Sequence, residues 1–130
     1  MSDAATNSQV EPGRARFRSD RYFQLWSYHV STRSLLLRST QTSGFSSRIS
    51  VHFGGVTAMA LRSDYHSLEI REARPDEAVA VTDRYGRSLP AGTLYIFGPT
   101  PTSFVVSEVT QWHEDDGEWP EPSIFGAHLR

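Results

Sequence analysis

The stretch Ser47–Phe53, SRISVHF, constrains the fold more than any other: Ile49, Val51 and Phe53 alternate with Arg48, Ser50 and His52. A two-residue period puts successive side chains on opposite faces of an extended chain. This segment is therefore expected as a strand with one buried face and one wet face. Such a strand cannot stand alone, because its apolar face needs a second layer and its edges need neighbours.

Other segments share the period. Tyr22–Val30 carries Tyr22, Trp26, Tyr28 and Val30 on one face and Phe23 and Leu25 on the other. It reads as a strand that is apolar on both sides. Val30–Arg33 is a hairpin connection, and Ser34–Thr40 returns as the second strand. Gln41–Gly44 is a polar turn, and Gly54-Gly55 marks a turn or bulge. Val56–Leu61 follows as a strand. After a loop at Arg62–His66, Ser67–Glu72 places Leu68 and Ile70 inward and Glu69 and Arg71 outward. Thr93–Phe97 and a long final strand, Ser103–Trp112, complete the set, with a rigid turn at Gly98–Pro101 between them.

One segment breaks the rhythm. Pro75 followed by Asp76 and Glu77 opens a helix, with proline in the first turn and acids at the positive end. Ala78, Val81 and Tyr85 share a helical face, and Gly86 can close the last turn. The spacing predicts a helix over Pro75–Tyr85. The connections are short, so the fold expected is a mainly β antiparallel meander of about seven strands, curled into a small barrel or a two-layer sandwich, with one short helix.

A chain of 130 residues fits one domain. Residues 1–16 are small and polar and read as a disordered N-terminal arm; the basic run Arg14–Arg21 reads as a solvated lead-in to the first strand. Residues 17–112 read as the single β domain. Residues 113–130 read as an irregular acidic tail laid on that domain by Trp119, Ile124 and Phe125.

The order W-S-Y at Trp26–Tyr28, L-L-L-R-S at Leu35–Ser39, and V-H-F-G-G-V at Val51–Val56 before Met59-Ala60-Leu61 resembles small uncharacterised bacterial all-β proteins. The resemblance covers Phe23 to Ile70. It implies the fold and no particular function.

Composition excludes several chemistries. There are no cysteines, so disulfides, thiolate catalysis and cysteine-bound zinc are ruled out. All thirteen basic residues are arginine, a bias spread along the whole chain that marks no site. The net charge of −2 gives no global attraction to nucleic acid. No apolar run approaches the ~18 residues that span a bilayer, and the N-terminus lacks the basic start and apolar block of a secretory signal. A cytoplasmic location is expected.

Motifs for catalysis and binding are sparse. His29, His52, His66, His113 and His128 show neither helical nor strand ligand spacing, and the acidic run after His113 does not fill a calcium loop. No metal and no cofactor are expected. There is no nucleophile elbow and no phosphate-cradling glycine loop. Asp64 and His66 form the one candidate pair of base and orienter, although a turn closed by an aspartate side chain is the plainer reading.

The rings of the first strand carry the functional reading. If Phe23 and Leu25 face the core, Tyr22, Trp26 and Tyr28 project the other way. Together with Arg38, Arg48 and His52 they offer the residue types that anchor protein interfaces. The chain thus reads as a non-catalytic protein-binding or accessory module, adaptor-like or immunity-like, whose partner is another protein or a second copy of itself. The alternative is a small barrel binding an apolar metabolite, as a cofactor-free isomerase or cyclase would. The third reading is single-stranded nucleic-acid binding by a wet face carrying Tyr28, Arg38, Arg48 and His52.

Overall fold

The computed structural model describes residues 5–6, 15–40 and 46–116. The expected turn at Gln41–Gly44, Arg14, His128, and the anchors Trp119, Ile124 and Phe125 lie outside these residues. Among the described residues the chain forms β1 (Ala5–Thr6), β2 (Ala15–Ser19), β3 (Phe23–His29), β4 (Ser34–Ser39), β5 (Arg48–Gly54), β6 (Ala58–Ala60), β7 (Asp64–Tyr65), β8 (Leu68–Glu72), α1 (Pro75–Tyr85), β9 (Thr93–Phe97), β10 (Ser103–Ser107) and β11 (Val109–Asp115).

The strands form two antiparallel sheets, ordered β1-β11-β5-β4-β3-β7 and β2-β8-β9-β10-β6. The described residues are mainly β with one helix, as expected. The sheets do not close into a barrel; they lie face to face as two layers. The path is also not one meander. β3-β4-β5 and β8-β9-β10 run consecutively, but β2, β6, β7 and β11 carry the chain from one sheet to the other. Four residues of the span read as an arm lie in strands: Ala5 and Thr6 pair with Trp112 and Gln111 of β11, and Ala15 and Arg16 open β2 beside β8. His113–Asp115, assigned to the tail, continue β11 beside β5.

The long strand expected over Ser103–Trp112 is two strands in different sheets. The break falls at Glu108, and the chain turns there against the β5–β6 corner. The Glu108 N–H donates to Gly54 O at 2.9 Å, and the Thr57 N–H donates to Val106 O at 2.9 Å. Gly55 holds this corner at φ +67°, and a Cβ on it would lie 2.7 Å from Glu108 Cδ. Only glycine meets both conditions without strain.

The layers meet over one core. Phe17 and Phe23 pack edge to face at 5.8 Å between ring centres. Phe53 of one sheet lies 5.8 Å from Tyr95 and 5.7 Å from Phe97 of the other. Leu35, Leu37, Val51, Ile70 and Val105 fill the space between these rings, each fully buried. Ring pairs at these separations add to what burial alone contributes.

α1 covers the other face of the second sheet. Val81 meets Ile96, Phe104 and Val106 in a smaller cluster. The helix keeps the expected bounds and closes on Gly86 at φ +88°. It is tied to the sheet by a buried ion pair: Arg71 Nη1 and Nη2 donate to the two carboxylate oxygens of Glu77 at 2.7 Å each. Glu77 also accepts from the Arg74 N–H at 3.0 Å. Arg71, expected on a wet face, is 4% exposed for this reason.

The register of β3 corrects the expected face of one ring. Leu25 pairs with Leu37, but Ser27 pairs with Leu36 and Tyr28 with Leu35, so a bulge inserts one residue at Trp26. An extra residue reverses the alternation beyond it. Tyr28 therefore packs against the core. The far face of the same sheet is not wet either. Arg38 and Arg48 are each 2% exposed and Ser50 is fully buried.

Candidate functional site

The six residues read as one recognition face are divided among three environments. Tyr28 belongs to the core side of β3. Trp26, Arg38, Arg48 and His52 lie on the far face of the first sheet. There the Arg38 guanidinium sits 4.8 Å from the centre of the Trp26 ring. Arg48 Nε donates to Asp115 Oδ1 at 2.6 Å. Burial, with the charge of Arg48 adding to it, lowers the Arg38 guanidinium to about 10 against a partial offset from Asp115. Arg38 and Arg48 are buried and His52 is half-buried. The wet face that the nucleic-acid reading needed is therefore not formed by these residues.

Tyr22 stands apart from them, at the corner where the chain enters β3. It is 40% exposed. Its hydroxyl donates to Asp64 Oδ2 at 2.7 Å, and its ring lies 5.4 Å from that of His66 at a tilt of 45°. The loop expected at Arg62–His66 makes this possible, because Asp64 and Tyr65 form β7 and pair with Gln24 and Phe23. The edge strand brings Asp64 beside a tyrosine 42 residues earlier in the chain. Asp64 thus orients Tyr22 rather than His66. The phenol of Tyr22 is held above its ordinary range, chiefly by the hydrogen bond to Asp64.

Beside this corner opens a cleft of about 360 Å³. One wall is the β7–β8 corner with Tyr65, His66 and Glu69; the other is the β9–β10 turn from Gly98 to Ser103. His66 lines the cleft and touches Tyr22, so the ring corner and the cleft are one continuous surface. The turn is pinned from below. Gly98 N–H donates to Glu69 O at 2.8 Å, Arg71 donates to Gly98 O at 3.1 Å and to Pro99 O at 3.2 Å, and Arg84 donates to Pro101 O. The ion-paired Arg71 that anchors α1 therefore also fixes the rim of the cleft.

A hydrogen-bond chain runs along its floor. The Arg62 N–H donates to Tyr65 Oη at 2.9 Å, and Tyr65 Oη donates to Ser103 Oγ at 3.0 Å. Sequence reasoning missed Ser103 and the cleft, and it gave Tyr65, noticed between Asp64 and His66, no role of its own. Each wall is ordinary loop sequence, and only the pairing of β7 with β3 and of β8 with β9 brings the walls together.

Among the described residues no group of three or more His, Asp or Glu is placed to hold a metal ion, and no helix is long and apolar enough to cross a membrane. The space between the sheets is occupied by Phe53, Tyr95, Phe97 and Val105, none more than 5% exposed. A second cleft, of about 350 Å³, opens between β2 and β11 beside Phe17, Ile49 and Trp112. Comparison with protein-family models, with curated proteins and with solved structures gave no match.

Proposed function

We propose that this chain is a non-catalytic recognition module that binds another protein through the corner formed by Tyr22 and His66. One observation carries the reading. Tyr22 is exposed, yet its hydroxyl is held by Asp64 and its ring by His66. A free surface tyrosine loses rotamer freedom when a partner captures it. One already held loses less, and this kind of preorganisation strengthens binding. Tyrosine is also among the residues that most often anchor interfaces.

The cleft next to Tyr22 gives such an interface depth, since a partner side chain can enter it while the backbone lies over the ring. Catalysis is the weaker reading, because Asp64 is engaged by Tyr22 and, among the described residues, no other carboxylate orients His66. An adaptor or immunity role in the cytoplasm is the setting we propose.

The test is association in lysate of the native cells. The wild-type chain and a Val79→Ser control should retain the same discrete partner, and Tyr22→Ala should lose it with the fold intact. Equal retention by Tyr22→Ala would count against the proposal.

A further inference from the structure

The cleft beside Tyr22 has an excess of hydrogen-bond donors over acceptors. Among the described residues, Arg16, Arg18, Arg21, Arg48, Arg71 and Arg74 all pair with carboxylates. Arg62 lines the cleft, is exposed, and makes no ion pair among the described residues. Glu69 is the one carboxylate among the residues lining the cleft, and Arg18 neutralises it at 2.7 Å. Asp64 is not among the residues that line the cleft, and its carboxylate accepts from the Tyr22 hydroxyl.

The hydroxyls point the same way. Ser103 accepts from Tyr65, and its own proton has no acceptor among the described residues. It is 5% exposed and lines the cleft. Thr100 and Thr102 lie 3.4 Å apart between their hydroxyls, so one of the two protons remains to be donated outward. A guanidinium, an imidazole and spare hydroxyl protons thus surround a space with one neutralised carboxylate.

From this we infer that the cleft is a receptor for a carboxylate, supplied by an aspartate or glutamate side chain of the partner protein. The inference deepens the proposed function and rests on it for the identity of the partner. A planar carboxylate matches the fork of Arg62. Its single charge matches the one guanidinium among the lining residues, whereas a doubly charged phosphate would call for more. Ser103, oriented by the chain through Tyr65, supplies a directed donor at the floor.

The experiment follows backbone amide resonances of the intact protein during titration with three probes: acetyl-Gly-Asp-Gly-amide, acetyl-Gly-Asn-Gly-amide and inorganic phosphate. A lone contact of this kind binds in roughly the millimolar range. The aspartate peptide should shift amides within Arg62–Glu69 and Gly98–Ser103, and the asparagine peptide should not. Arg62→Gln, at an exposed side chain, should weaken the effect about tenfold without changing resonances elsewhere.

Equal response to the two peptides, or no loss on Arg62→Gln, would overturn the assignment. Tighter binding of phosphate than of the aspartate peptide would overturn the choice of carboxylate. Tyr22→Ala separates the two claims. Tyr22 does not itself line the cleft, so aspartate binding should survive its loss even where partner retention does not. If retention survives Tyr22→Ala while the peptide still binds, the corner fails and the cleft stands.

Discussion

The hydroxyl of Tyr22 rests on Oδ2 of Asp64 at 2.7 Å, joining the entrance of β3 to the edge strand β7. The carboxylate stabilises the protonated phenol, both by accepting its hydrogen and by its charge. Tyr22 should therefore lose its proton at a higher pH than an ordinary tyrosine. Asp64→Asn removes the charge and should bring that titration back down. A pH titration of the Tyr22 ring carbons by NMR reads both values. No difference between wild type and Asp64→Asn would mean that the pair does not persist in solution.

The Arg71–Glu77 pair makes stability depend on acid. The hydrogen bond from Arg71, acting against the cost of burial, depresses the Glu77 carboxyl from 4.5 to about 2. A depressed carboxyl contributes stability that is present above its unfolded value and fades as pH falls through its folded one. The loss should thus appear between pH 4.5 and about 2. Glu77→Gln should remove this part of the pH dependence and cost about 3 kcal/mol at neutral pH, because it leaves Arg71 buried without its counter-charge. Urea melts of both proteins across that range give the answer.

Tyr28 tests the bulge. Facing the core, it should cost about 2 kcal/mol on truncation to alanine. Placed on a solvated face, it would cost no more than ~0.5 kcal/mol. The shift in denaturation midpoint of Tyr28→Ala distinguishes the two.

Gly55 tests the corner between the sheets. Alanine there meets both a positive φ and the Glu108 side chain. Gly55→Ala should cost about 2 kcal/mol. Glu108→Ala in the same chain should relieve part of it, because the clash is with a side chain while the strain is with the backbone. A thermal-melt cycle of the single and double variants measures that part.

These residues also show what could be read from sequence. The helix was legible because its signals are local: Pro75, the acids behind it and Gly86 all act within one or two turns. The inward set of β5 was legible because alternation there runs unbroken. The reversal at Tyr28 was not, since a period of two cannot reveal one extra residue at Trp26. The break at Glu108 was hidden inside a continuous apolar run. Arg38 and Arg48 were read as wet because arginine usually is, and nothing local records their burial. At the candidate site, Tyr22, Asp64 and His66 were each visible as residues. Their meeting was not, because it depends on two strands pairing across some forty residues of chain.

The most direct test of the recognition surface is site-specific photocrosslinking in native cells, with the reactive group at Ser67, beside His66, so that Tyr22 is untouched. A crosslink to one discrete protein is expected from this position, none from the exposed helix position Val79, and loss of the crosslink when Tyr22→Ala is added. A crosslink that persists in the Tyr22→Ala background, or that forms equally well from Val79, would contradict the proposed surface.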